Sequence, residues 1–261
     1  MGQERIIHAA LLGAGTVGSG VYKLVKDLEE EIISKTGARL VVDKILVRDT
    51  AKAREGIPSE LLIDRWDEIL NDPQIEIVIE VMGGIRPALT WLEEALRAGK
   101  QVVTANKDLL AEYGEQLFDA AEAGKCDLHF EAAVAGAIPI IRPLRQSLAA
   151  SELTEVMGIV NGTTNYILTR MTEDGMGYEE ALALATKLGY AESDPTADVE
   201  GYDAGRKVAI MASIAFNSNV TFSQVYTEGI THITAEDIRY AKEFGYVIKL
   251  IGMTRLTEGG V

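Results

Sequence analysis

Six residues near the N-terminus, Gly13-Ala14-Gly15-Thr16-Val17-Gly18, constrain the fold of this chain more than any others. They follow an apolar run at 6–12 and open a helical pattern reaching about residue 35, so a glycine-rich turn joins a strand to a helix. In that setting the first glycine allows the tight turn, the second lets a pyrophosphate approach the backbone, and the third lets helix and strand pack closely. N–H groups at the helix N-terminus then meet the anion. A glycine turn without a ligand is the plainer reading, and the place of the motif one strand into an α/β alternation weighs against it.

Strand-like runs and amphipathic stretches alternate through the first half, at 6–12, 40–47, 61–70, 75–81, 87–98, 101–104, 108–123 and 127–130. Strands separated by crossover helices make a parallel sheet. The runs Leu40-Val41-Val42 and Ile75-Glu76-Ile77-Val78-Ile79 are rich in β-branched residues and suit strands covered on both faces. Gly99, Gly114 and Gly124 punctuate helix ends, with Gly99 and Gly124 read as left-handed stop signals. After about residue 136 the texture changes. Ala135-Gly136-Ala137-Ile138-Pro139 is a glycine and proline break, followed by helical segments at 163–171, 178–188, 200–216 and 235–244 and strands near 154–160 and 246–253. Thr234 with Asp237 reads as a capping-box start, and Gly245 closes that helix. The expected fold is α/β: a Rossmann-type doubly wound parallel sheet at 1–135 that binds a dinucleotide, then a second α+β domain at 136–261.

Charge narrows the function. With 25 Lys plus Arg against 40 Asp plus Glu, the formal charge is −15, which excludes a nucleic-acid binder resting on bulk charge because a polyanion would be repelled. At 47% apolar residues the chain can bury a sizeable core. No apolar region of signal-peptide length precedes the glycines, and no run of about 18 uncharged apolar residues could span a membrane. The expected setting is the cytoplasm, with no membrane partner. Cys126 permits no internal disulfide, which fits a reducing compartment. His8, His129 and His232 lack metal-ligand spacing.

The second strand ends in Leu46-Val47-Arg48-Asp49, and in such a fold its last residues face the adenine ribose. Asp49 could bind the ribose hydroxyls of NAD, whereas Arg48, helped by Lys52 or Arg54, could pair with the 2′-phosphate of NADP. Arginine directly after the last apolar strand residue favours NADP. Val81-Met82-Gly83-Gly84 and Thr104-Ala105-Asn106-Lys107 lie at other strand ends, where an open parallel sheet places its ligands. Farther along, 189–207 sets five carboxylates between Glu192 and Asp203 and runs into the apolar stretch 208–216, which belongs to a buried helix. Asp203 and Lys207 are four apart on one face of that helix, a pairing worth only about 0.2–0.5 kcal/mol at a surface, so stability hardly explains it. At the mouth of a cleft, carboxylates could hold a substrate ammonium and a lysine could act as acid or base.

The glycine motif, Val102-Val103-Thr104-Ala105-Asn106-Lys107, Asn161-Gly162-Thr163-Thr164-Asn165-Tyr166 and the 189–207 segment together resemble homoserine dehydrogenase, over essentially the whole chain. The resemblance implies reversible NAD(P)H-dependent reduction of L-aspartate 4-semialdehyde to L-homoserine, a step toward threonine, methionine and isoleucine. It implies that Glu192 and Asp203 hold and orient this small-molecule substrate, with Asp198 close to them, and that Lys207 gives a proton to the carbonyl oxygen. Lys107 resembles the second active-site lysine, placed between cofactor and substrate. Gly13, Gly15, Thr16, Val17, Gly18, Arg48, Gly83, Thr104 and Lys107 are the expected cofactor contacts. Residues 131–138 resemble the family's monovalent-cation loop, in which backbone carbonyls of Glu131, Val134, Gly136 and Ile138 bind sodium. From the residues alone that loop reads as a flexible hinge. The resemblance also implies a homodimer built through the second domain if the family's C-terminal part is present. Family members continue past the 246–253 strand, so relative to them the chain is C-terminally incomplete. Two other readings stay open: a phosphorylating semialdehyde dehydrogenase with Cys126 as nucleophile, and a dinucleotide-binding sensor without turnover.

Overall fold

The computed structural model describes residues 5–261; residues 1–4, part of the stretch read for an export signal, lie outside the described residues. The chain divides into two units, Met1–Ala133 and Val134–Val261, slightly ahead of the break expected after residue 135.

Unit 1 runs β1 (Arg5–Leu12), α1 (Thr16–Asp27), α2 (Glu29–Thr36), β2 (Ala38–Leu46), β3 (Leu62–Ile63), α3 (Asp67–Leu70), β4 (Ile75–Glu80), α4 (Ala88–Arg97), β5 (Gln101–Thr104), α5 (Lys107–Gly124) and β6 (Leu128–His129). Its strands form one parallel sheet in the order β3-β2-β1-β4-β5-β6. This is the Rossmann order, with the reversal of winding falling between β1 and β4. Ala9, Ala10, Leu11 and Leu12 of β1 are all fully buried, which requires cover on both faces of the sheet. Leu11, Val42, Ile45 and Leu62 pack with Tyr22 of α1 on one of those faces. In α4, Leu89, Leu92 and Leu96 recur at helical spacing and are buried together.

Local expectations needed correction in this unit. Residues 61–70 do not form one amphipathic stretch: Leu62 and Ile63 pair with the end of β2, and Asp67–Leu70 turns separately to bury Ile69. Gly99 is left-handed, with φ 78°. Gly124 instead ends α5 as a helical residue, and Lys125 takes the left-handed position at φ 55°. Gly114 is no helix end either; it lies within α5, beside a kink at Tyr113.

Unit 2 runs β7 (Glu155–Gly158), α6 (Gly162–Glu173), α7 (Tyr178–Lys187), α8 (Thr196–Val199), α9 (Tyr202–Ala215), α10 (Ala235–Glu243) and β8 (Gly252–Arg255). β7 and β8 are antiparallel, with Glu155 opposite Arg255 and Gly158 opposite Gly252. The strand expected at 246–253 therefore begins only at Gly252, because the four residues of β7 offer no ladder to 246–251. α10 starts with the expected capping box, Thr234 and Asp237 exchanging hydrogen bonds. Ile167, Leu168 and Met171 of α6 pack with Ala181 and Ala185 of α7, Val199 of α8 and Ile238 of α10 in a core separate from that of unit 1. Gly201, at φ 80°, turns the chain between α8 and α9 in a conformation that favours glycine. Among the described residues no helix is long and apolar enough to cross a membrane.

Candidate active site

In unit 1 the loops after β1, β4 and β5 gather at the carboxyl edge of the sheet. Gly13 donates its N–H to Leu46 O at 3.0 Å, which ties the glycine loop to the end of β2. A Cβ on Gly18 would lie 2.1 Å from Gly13 O, so only glycine lets α1 start this close to the turn. A Cβ on Gly15, by contrast, would meet nothing within 4 Å. That is open space at the first turn of α1, where no side chain caps the helix and no acidic residue stands. Unpaired N–H groups, a positive helix end and room for close approach are what a pyrophosphate requires, so these residues fit a dinucleotide. Thr16 and Val17 are exposed in that first turn.

Glu80, the last residue of β4, organises the neighbouring loops and was missed by sequence reasoning. It is fully buried. Its Oε1 accepts N–H bonds from Met82 at 2.8 Å and Gly83 at 3.1 Å, and its Oε2 accepts the Thr104 hydroxyl at 2.6 Å. Thr104 in turn accepts the Asn106 N–H at 3.0 Å, and Asn106 donates its side-chain amide to Gly84 O at 2.6 Å while capping α5 through Leu109 N. The Thr104 side chain, 1% exposed, is thus committed to this internal lattice. Lys107 follows as the first residue of α5, partly buried.

At the end of β2, Asp49 is occupied locally: its Oδ1 accepts Ala51 N–H at 2.9 Å. Arg54 folds onto the same loop, donating to Asp49 O and Lys52 O. Arg48 is exposed and makes no hydrogen bond or ion pair among the described residues.

Unit 2 brings together residues far apart in sequence. Lys207 of α9 donates to Asp203 Oδ2 at 2.6 Å and to Val160 O at 2.7 Å. The side chains are only 15% and 8% exposed, so this is a largely desolvated pair rather than a solvated surface one. Asp198 joins them through Asn161, whose side-chain amide donates to Asp198 Oδ1 at 2.7 Å and to Asp203 Oδ2 at 2.8 Å. Glu192 is exposed and has no partner among the described residues. Asn161 was visible only as part of a sequence run, without a role. Nothing in the pattern announced its cap on α6 or the two carboxylates it joins.

Cys126 does not fit a nucleophile. It precedes β6, at the end of the parallel sheet opposite the ligand edge, and its Sγ donates to Leu96 O at 3.2 Å. Burial pushes the thiol above its ordinary pKa, with the Asp127 carboxylate adding to the effect, whereas a nucleophilic cysteine needs the reverse. Among the described residues no group of three His, Cys, Asp or Glu side chains could hold a metal ion.

Comparison with known proteins agrees with these two halves. Residues 13–131 match the model of the homoserine dehydrogenase NAD-binding domain, and residues 139–260 match that of homoserine dehydrogenase. The chain is 47% identical over 252 residues to homoserine dehydrogenase of Bacillus subtilis, covering 96% of this chain and 58% of that protein. It is 50% identical over 252 residues to that of Corynebacterium glutamicum, covering 97% and 57%. A crystal structure of a homoserine dehydrogenase from Thiobacillus denitrificans superposes with a TM-score of 0.91 at 45% identity, covering 97% of this chain and 59% of that one. The chain thus spans less than three fifths of the length of these two curated relatives. A parallel six-stranded sheet in Rossmann order, two matching family models that together take in nearly the whole chain, and relatives at about half identity place this chain in the homoserine dehydrogenase family.

Proposed function

We propose that the chain carries the NADP-dependent interconversion of L-aspartate 4-semialdehyde and L-homoserine, within threonine, methionine and isoleucine synthesis. The observation that carries this reading is the buried Lys207–Asp203 pair. An ammonium has three donors. Asp203 and Val160 O take two of them, which leaves one N–H for a substrate oxygen. When bound, the reduced dinucleotide supplies a hydride to the aldehyde carbon. Lys207 then stabilises the growing negative charge on the oxygen and passes it a proton from Nζ, giving the alcohol. Asp203 holds the ammonium in place, and it accepts from Lys207 in a site with little water. Glu192 and the second oxygen of Asp198 bind the substrate's ammonium group. Lys107, in the first turn of α5, is the second active-site lysine.

For the cofactor, Gly13, Gly15, Thr16, Val17 and Gly18 hold the pyrophosphate, while Gly83 and Thr104 shape the loops that follow β4 and β5. Asp49 spends its carboxylate on Ala51 N–H, which leaves Arg48 as the exposed charge for a 2′-phosphate and supports NADP over NAD. Sodium is assigned to the backbone carbonyls of Glu131, Val134, Gly136 and Ile138. Support comes from Ala135 and Ala137, held at φ 51° and 67°, a backbone that residues with a Cβ adopt at a cost of about 1–3 kcal/mol. A second copy of the chain is the proposed partner, supported by Met157 and Met253, exposed opposite each other on β7 and β8. The single thiol is compatible with a cytoplasmic setting.

The test follows NADPH absorbance with aspartate semialdehyde. Lys207→Ala is expected to lower kcat by roughly 10²–10⁴-fold with little change in substrate KM, and Glu192→Ala to raise KM chiefly. Tight NADPH binding without turnover by the folded parent protein would instead favour a dinucleotide sensor, and the opposite split between kcat and KM would overturn the two assignments.

A further inference from the structure

Val160 and Asn161, in the link between β7 and α6, touch three of the four groups assigned above to the substrate-handling end of unit 2: Lys207, Asp198 and Asp203. Val160 O takes Lys207 at 2.7 Å, and the Asn161 amide nitrogen lies 2.7 Å from Asp198 Oδ1 and 2.8 Å from Asp203 Oδ2. On its other side the Asn161 carbonyl oxygen accepts the Thr164 N–H at 2.8 Å and the Thr164 hydroxyl at 2.7 Å. The orientation of the carboxamide is forced. The Thr164 amide can only donate and ionised carboxylates can only accept, so a flipped group would set oxygen against two carboxylates and N–H against N–H. Asn161 is 5% exposed, and both of its donors are spoken for by the carboxylates.

We propose that Asn161 is a positioning residue for this reaction: it fixes the separation and orientation of Asp198 and Asp203 and, through Asp203, the aim of Lys207. The inference rests on the reading of those three residues given under Proposed function. Capping alone does not explain the residue type. A helix N-terminus is satisfied by Ser, Thr or Asp as well as by Asn, because only an acceptor oxygen is needed. Bridging two carboxylates needs two N–H donors on the far side of that same oxygen, at this reach. The bridge also has an electrostatic purpose: it sets a neutral donor between like charges that otherwise repel. α8 has only four residues, so Asp198 gains little positional constraint from its own helix, and the Asn161 bond supplies it.

Two variants separate positioning from capping. Asn161→Ser keeps an oxygen for Thr164 and adds no charge, but cannot reach both carboxylates. Asn161→Asp keeps the cap and, in place of the donors, adds a carboxyl facing Asp198 of α8 and Asp203 and Lys207 of α9. Each is assayed with NADPH and aspartate semialdehyde beside the parent and Lys207→Ala, with folding followed by circular dichroism. Asn161→Ser is expected to fold and to lose on the order of 10²-fold in kcat/KM, in both kcat and the aldehyde KM, while NADPH affinity is unchanged. Asn161→Asp is expected to regain activity, relative to the parent, as pH falls, because the added carboxyl can donate again once protonated. A folded Asn161→Ser with parental constants, or an Asn161→Asp pH profile parallel to the parent's, overturns the proposal while leaving the functional reading intact. If the parent does not turn over the aldehyde, or Lys207→Ala remains fully active, the functional reading itself fails and the Asn161 role falls with it.

Discussion

Glu80 shows how much a single buried acid can govern. It accepts from two loop amides and one hydroxyl, and those donors belong to the turn after β4 and to the end of β5. Replacing it with alanine leaves three donors unmet, the Thr104 hydroxyl fully buried and the Met82 and Gly83 N–H groups in a part-buried setting. An unsatisfied buried donor costs about 1–3 kcal/mol, and loop relaxation recovers part of it, so Glu80→Ala should destabilise unit 1 by about 2–4 kcal/mol. Glu80→Gln retains an acceptor oxygen and should lose less. Urea titration of the three proteins measures the ranking, and a Glu80→Ala protein as stable as its parent would show that the loops find other partners. NADPH affinity should fall in the same order, because the Met82–Gly83 turn then loses its anchor. None of this was legible in sequence: an acid closing an apolar strand reads as the point where the chain meets solvent, and burial depends on donors arriving from a strand 24 positions away. Asp203 and Lys207 were legible for the opposite reason. Their contact is set by the helical repeat, so four-residue spacing and an apolar continuation fixed both the pair and its burial.

Helix packing in unit 1 turns on where glycine is required and where it is incidental. Gly124 was expected to end α5 by adopting a left-handed backbone, yet it stays helical and Lys125 takes that conformation. A Cβ on Gly124 would lie 1.8 Å from Leu96 O, so the glycine serves the close approach of α5 to the end of α4. The carbonyl belongs to a buried leucine and has little freedom to move. Gly124→Ala should therefore destabilise by about 1–3 kcal/mol, the usual cost of overpacking. Gly20, exposed within α1, has nothing within 4 Å of its would-be Cβ, and Gly20→Ala should stabilise by about 0.5–1 kcal/mol through helix propensity alone. Denaturant midpoints with an unchanged slope would read both effects, and like signs for the two variants would refute the distinction. Sequence cannot separate these glycines, because each stands in a helical pattern and only the neighbouring helix tells them apart. The strand boundary at Gly252 failed for a related reason: 246–251 carries strand-like residues, but a strand exists only where a partner ladder runs beside it.

The two units differ in how completely each satisfies itself. Every strand of the six-stranded sheet, and the apolar cluster joining Leu11, Tyr22, Ile45 and Leu62, lies within Met1–Ala133. Unit 2 has its own core of α6, α7, α8 and α10 residues, but only a two-stranded sheet, and two strands alone are marginal in water. It also carries large apolar side chains in the open: Tyr226 is 84% exposed, Phe244 76%, Tyr246 72% and Met157 62%. A domain with its own sheet and core can fold by itself, and one with a large exposed apolar surface tends to associate. Residues 1–133 expressed alone should therefore melt cooperatively, remain monomeric and bind NADPH, yet show no turnover, since Asp203 and Lys207, proposed above to act on the substrate, belong to the other unit. Residues 134–261 alone should self-associate as concentration rises, a state that circular dichroism and sedimentation velocity distinguish from unfolding. The first expectation rests on the glycine motif and the alternation of strand and helix, both of which are local in sequence. The second follows from the family resemblance, which implies a dimer through the second domain, and not from residue pattern, since exposure of Tyr226 or Phe244 depends on which neighbours fail to cover them. An isolated unit 1 that neither folds nor binds NADPH would mean that its sheet and glycine loop depend on residues beyond 133, and the division of labour between the units would have to be redrawn.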